Sequence, residues 1–283
     1  MRNIILTIAL AVFTLIGTCS PTRQVQAVET SPGGGEKMIF AGSGVNLSIT
    51  KLLADAFIKQ HPRTAIEIPG SIGTRGAIKA VADKAIHLGL ISRSLKEEEK
   101  RQDITEVPYA QVAIVIAANS RVAEDTITTG ELIAIIDGKK NRWQNGSEII
   151  VQVREKSDSG FQVLENSIPG FKEAYVKSQE ARRWTMHFTD QEANKALAST
   201  PFALGVTDLG MISAEQLPVK VLKLNGIAPD PENLRNGSYP LSRQLSFIYN
   251  RDNLPEEAKN FMRFVFSDAG RTILQAHGYL PMQ

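Results

Sequence analysis

Cysteine is almost absent from this chain of 283 residues, Cys19 being the only one. A single thiol forms no intramolecular disulfide, so the fold must rest on its apolar core, and a cysteine-ligated metal centre is ruled out with it. Neither sign of charge is in excess, with Lys+Arg 32 against Asp+Glu 30. That balance is too even for a surface that neutralises many nucleic-acid phosphates, so no nucleic-acid partner is expected. Histidine is scarce, and His61, His87, His187 and His277 lack the short pair spacings of metal sites. No metal and no other cofactor is expected. Gly-x-Ser-x-Gly, the strained turn that exposes a hydrolase serine, does not occur.

What is present begins with an export signal. Ile4 to Ile16 is an apolar run of thirteen residues behind Arg2. It is too short for a membrane span of about 20 residues but the right length for a signal-peptide core. Val25-Gln26-Ala27 supplies the small-residue cleavage site, so residues 1–27 read as a signal peptide. Leu15 to Cys19 also has the look of a lipoprotein box, with Thr18 a poor fit before the cysteine. Cleavage after Ala27 removes Arg2, Arg23 and Cys19 and leaves a chain without net charge or thiol. A periplasmic or otherwise extracytoplasmic location is expected. Residues 28–36, polar and glycine-rich, read as a flexible leader, and the fold is expected to begin near Lys37.

From Lys37 onward, short Ile- and Val-rich runs such as residues 38–40, 65–68, 86–92, 111–118, 148–153 and 202–206 alternate with segments of helical period. That alternation predicts an α/β fold with a mainly parallel sheet. Ile49, Leu52, Leu53, Ala56 and Phe57 form one apolar helical stripe, and Ala77, Ile78, Val81, Ala82 and Ala85 a second. The run Lys96 to Arg101 reads as a solvated helix face with i,i+4 pairs, or as a docking patch.

Three turns repeat one local design of strand, small polar residues with glycine, and helix start. They are Gly42-Ser43-Gly44-Val45-Asn46, Gly70-Ser71-Ile72-Gly73-Thr74-Arg75-Gly76, and Ser157-Asp158-Ser159-Gly160-Phe161. A helix start presents unpaired N–H groups and about half a positive charge, and glycine lets an anion approach closely. Ser, Asn and Asp at such positions also serve as ordinary caps, so one turn alone decides nothing. Three turns together, with Arg154 just before the third to grip an oxyanion bidentately, predict a shared anion cage.

These residues resemble the phosphate-binding receptors of bacterial ABC importers and related periplasmic solute-binding proteins. The resemblance runs through FAGSGVNLSITKLLADAF, through GTRGAIKAVADKAIHLGLISRSLKEEE with its strand end at Ser92, and through TTGELIAIIDGKKNRWQNG to the C-terminal SDAGRTILQAHGYLP. It implies a two-lobed periplasmic-binding-protein fold of type II, each lobe a mixed, mainly parallel sheet flanked by helices. Lobe I would comprise residues 37–114 and 225–283 and lobe II residues 115–224, with crossings near 111–117 and 219–224. It further implies anion contacts from the Gly44 and Val45 amides, Thr74, Ser92, Arg154, Ser159, Gly160 and Phe161. The function implied is capture of an inorganic oxyanion, phosphate first, by a monomer that delivers it to a membrane ABC permease.

Four positions depart from the family pattern. Gly44 stands where those receptors carry a hydroxyl residue and Phe161 where they carry threonine. Ser92 replaces an aspartate that accepts the remaining proton of hydrogen phosphate, which makes arsenate or sulfate easier to admit. His87 also replaces a common aspartate. A receptor that reports an oxyanion such as arsenate to a membrane sensor, and a secreted phosphoester hydrolase using Ser159, stay open as alternatives.

Overall fold

In the computed structural model, which describes residues 37–282, the Ile- and Val-rich runs pair into sheets because their side chains are buried on both faces. The signal peptide and leader, with Cys19, lie outside the described residues. The chain opens with β1 (Met38–Gly42), α1 (Gly44–Gln60), β2 (Ile66–Glu67), α2 (Gly73–Ala82), β3 (Leu88–Ile91) and β4 (Ile104–Asn119). In α1 the buried stripe is Val45, Ile49, Leu53 and Phe57. In α2 it is Ala77 and Val81. Ala85 lies beyond that helix, which stops where Lys84 turns to a left-handed φ of 56°. The charge run is not a helix face: Glu97–Glu99 make one 3₁₀ turn, and Glu99 instead pairs with Arg93 at 2.6 Å.

The second stretch holds β5 (Thr126–Ile127), α3 (Thr129–Ile136), β6 (Ile150–Arg154), α4 (Ser159–Ser167), α5 (Phe171–Glu180), β7 (Thr185–His187), α6 (Asp190–Ser199), β8 (Ala203–Asp208), α7 (Leu209–Ala214), β9 (Val219–Leu224) and α8 (Pro231–Arg235). The chain closes with β10 (Ser242–Asn250), α9 (Glu256–Phe266), α10 (Asp268–Ala276) and β11 (Tyr279–Pro281). Strand order β2-β1-β3-β10-β4-β8-β6-β7 makes one continuous path. Its flanks are parallel, and its joint, where β4 meets β10 and β8, is antiparallel. Separate apolar cores lie on either side of that joint.

The two lobes meet through β4, which changes partner within its length. Residues up to Ala113 pair with β10, and Ile114 onward pairs with β8. The return crossing differs from the expectation near 219–224. Strand β9 stays in lobe II, pairing with β4 at Ile116 to Asn119, and Leu234, Tyr239 and Leu241 pack into the lobe II core. The chain returns only at Leu241–Ser242, where Ile114 N–H donates to the Leu241 carbonyl at 2.9 Å. Residues 225–241 therefore pack with lobe II. The sequence signal that misled is β9 itself, an apolar run followed by a turn, which reads equally well as a hinge or as another sheet strand.

An additional excursion has no counterpart in the sequence reading. Met211 on α7 belongs to the lobe I core beside Val45 and Ile49. Ser213 Oγ meets His277 Nδ1 at 3.1 Å, and Ser48 donates to Glu215. Helix α7 thus fastens the end of β8 onto lobe I.

Candidate functional site

The carboxyl ends of β1, β3 and β6 point toward one place, where open α/β sheets offer a crevice. Each delivers a small polar residue there: Ser43 after β1, Ser92 after β3, and Ser159 at the start of α4. With Thr74 in the first turn of α2 they form a hydroxyl cluster. Ser43 Oγ donates to Ser92 Oγ at 3.0 Å, and Ser92 Oγ lies 3.2 Å from Thr74 Oγ1 and 2.9 Å from Ser159 Oγ. Ser92 is 1% exposed. Hydroxyls donate and accept by rotation, so such a cluster re-aims toward an oxyanion at little cost.

The N-cap residues of α1 and α2, Ser43 and Ile72, accept no helix amide through their side chains, although Ser71 Oγ accepts from the Gly73 N–H at 3.3 Å. Helix α4 is different. Asp158 is its N-cap, and its Oδ1 accepts from the Gly160 and Phe161 amides at 2.9 and 3.0 Å. Those two amides, expected to face the anion, are already satisfied by a carboxylate. Capping, the ordinary role of Asp at a helix start, prevails at this turn.

Arg154, at the end of β6, is buried between two carboxylates. Its Nε stands 3.4 Å from Asp158 and 3.6 Å from Asp190, while Nη1 donates to the His187 carbonyl at 2.9 Å. Neither carboxylate satisfies Nε as a hydrogen-bond donor, and it has no other partner among the described residues. Asp190 opens α6 and reaches across to the start of α1. A Cβ on Gly44 would stand 2.5 Å from Asp190 Oδ2 and 2.8 Å from Gln191 Oε1, and Gln191 donates to the Gly44 carbonyl at 3.2 Å. The hydroxyl residue missing at position 44 is thus replaced in space by side chains from the other lobe. Burial, aided by Asp158, pushes the Asp190 carboxyl above its usual range.

A second guanidinium stands behind the hydroxyls. Arg243 on β10 donates to Ser159 Oγ at 2.9 Å and pairs with Asp208 at the end of β8 at 3.0 Å, both side chains being buried. It packs against Gly160 so closely that a Cβ there would collide with its Nη2. Two guanidiniums and three carboxylates therefore share this region. Burial raises Asp208 to about 7, with the Arg243 charge opposing the shift.

Of the residues expected from sequence, Ser43, Thr74, Arg75, Ser92, Arg154 and Ser159 line one cavity of about 310 Å³. Gly44, Val45, Asn46, Gly160 and Phe161 are not in its lining. The Val45 and Phe161 side chains belong to the lobe cores, and Asn46 Oδ1 accepts from the Tyr109 hydroxyl at 2.6 Å. Sequence reasoning missed Asp190, Arg243 and Asp208. Thr189 and Glu192 form a capping box that announces α6 and hence the place of Asp190. Nothing local marks Arg243, which is one alternate residue of a strand. Among the described residues, the hydrogen-bond partners of Ser159 Oγ are the Ser92 hydroxyl and the Arg243 guanidinium.

The PBP superfamily domain matches residues 27–269. The chain belongs to the PBP superfamily. Among curated relatives of this PBP chain, the phosphate-binding protein PstS of Bacillus subtilis is 23% identical over 297 residues, covering 99% of this chain and 94% of that protein. A PstS of Borreliella burgdorferi is 21% identical over 218 residues, covering 75% of this chain and 78% of the relative. Among solved structures, a Clostridium perfringens protein with bound phosphate superposes with a TM-score of 0.75 at 23% identity, covering 88% of this chain and all of that one. The expected family and α/β fold are borne out. No helix among the described residues is long and apolar enough to cross a membrane.

Proposed function

We propose that this PBP chain is an extracytoplasmic solute-binding protein that captures an inorganic oxyanion, phosphate in first place, between its lobes and hands it to an ABC permease. One observation carries this reading: four clustered hydroxyls and the buried guanidinium of Arg154, whose Nε no hydrogen bond satisfies, gather at one cavity beside the first turn of α2. Each is a donor suited to an oxyanion held out of water. The names of the relatives agree with it.

Asp190 supports phosphate in particular. A carboxylate beside the seat repels fully deprotonated sulfate, whereas it accepts the proton that hydrogen phosphate retains. The discrimination missing at Ser92 is thus available from α6. Binding joins groups from both lobes, Thr74 and Ser92 on one and Arg154 and Ser159 on the other, so the anion favours the closed form by the difference in affinity between the two states. The protein acts as a monomer and performs no chemistry on its ligand.

The test is thermal melting with phosphate, arsenate or sulfate. At 100 times the dissociation constant, stabilisation is about 2.7 kcal/mol, which for a chain of this size is roughly 5–10 °C. Phosphate should give the largest shift and Arg154→Ala should abolish it. No shift with any of the three anions refutes the reading.

A further inference from the structure

The cavity at the oxyanion seat is larger than its expected occupant. At about 310 Å³ it holds roughly ten water volumes of ~30 Å³ each, whereas a tetrahedral oxyanion has only a central atom and its four oxygens. That size stands at the threshold of pockets for small organic ligands, roughly 300 Å³. The surplus is not evenly polar. Ile72, 44% exposed, and Phe188, 71% exposed, are two of the three exposed large hydrophobics among the described residues, and both line this cavity. They come from opposite lobes, Ile72 from the turn before α2 and Phe188 from the turn before α6. Scattered surface hydrophobics are ordinary, but two at one mouth form an apolar rim.

The rim also carries charge of both signs, with the Glu155 carboxylate in the lining accepting from the Ser157 amide and hydroxyl. Arg93 is engaged bidentately by Glu99, at 2.6 and 2.7 Å. Arg75 and Lys96 line the same cavity and make no ion pair among the described residues. A bare oxyanion held by Arg154 and the hydroxyls leaves these two cations and the two apolar side chains without a contact.

Resting on the oxyanion reading of the seat, we infer that the seat also takes, more tightly than the inorganic anion, a small phosphate monoester. Its phosphoryl group takes the place of the inorganic anion. Its organic substituent lies under Ile72 and Phe188, and a second anionic group on that substituent faces Arg75 and Lys96.

The experiment is titration calorimetry of the purified protein with inorganic phosphate, glycerol 3-phosphate and 3-phosphoglycerate. The expected result is that 3-phosphoglycerate binds at least tenfold more tightly than inorganic phosphate, with glycerol 3-phosphate between them. Phe188→Ala and Arg75→Gln, both at exposed positions, should each cut that ratio at least threefold. Inorganic phosphate binding as tightly as, or more tightly than, both monoesters overturns the inference and leaves the oxyanion reading standing. So does a ratio that neither substitution changes. Failure of all three ligands to bind overturns the oxyanion reading, and this inference with it.

Discussion

Position 44 is glycine because of a residue far away in sequence. The Asp190 carboxylate and the Gln191 amide occupy the space that a side chain there would need. Asp190 in turn stands beside Arg154, whose charge it shares with Asp158. When ionised, Asp190 suits an anion that brings a proton and opposes one that does not, and burial, which raises its carboxyl, works against that ionised form. Replacing Asp190 by Asn removes the repulsion. Calorimetry at pH 8 should then show the preference for phosphate over sulfate narrowing about tenfold, equivalent to ~1.4 kcal/mol. An unchanged preference would place the discrimination elsewhere in the site.

At the scale of elements, the helix starts around the cavity are not equivalent. Ser43 precedes α1 but turns its hydroxyl to Ser92, leaving the helix without a side-chain cap. Asp158 caps α4 fully. Loss of such a cap costs about 1 kcal/mol, or roughly 2–4 °C in melting temperature for a chain of this length. Asp158→Ala should show that drop, whereas Asp158→Asn, which keeps an oxygen acceptor, should recover most of it. Asp158→Asn also removes a negative charge from beside Arg154, so phosphate affinity should rise although stability is nearly restored. Melting and titration of the two variants read these effects separately.

At the scale of the molecule, the two lobes are joined where β4, β8 and β10 lie side by side, and Asp208 and Arg243 form their ion pair inside that joint. Such buried pairs gain little net stability after desolvation but leave a costly charge if one partner is removed. Burial raises Asp208 to about 7 from an ordinary value of 3.8. The folded state therefore takes up a proton before the unfolded state does. Its stabilising contribution is complete below about pH 4 and is lost as pH rises toward 7. Asp208→Asn removes that dependence. The melting temperature of the unaltered protein minus that of the variant should grow as pH falls from 8 to 5, and a constant difference would show that Asp208 is ionised throughout.

Strand and helix alternation, the apolar stripes of α1 and α2, and the hydroxyls and arginine of the cavity were legible in the residues themselves. Each depends on spacings of a few positions, the range over which helix and strand periods and capping operate. Three features were not read: the closing of the Gly160 and Phe161 amides by Asp158, which lies within that range, and the return crossing at Leu241 and the visit of α7 to lobe I, which lie beyond it. The first was ambiguous locally, because an aspartate before a helix is both a cap and a member of an anion-binding turn. The approach of Asp190 to Gly44 and of Arg243 to Ser159 joins residues 146 and 84 positions apart. Periodicity carries no information at such separations. Only the packing of two sheets around a shared strand decided which charges would meet.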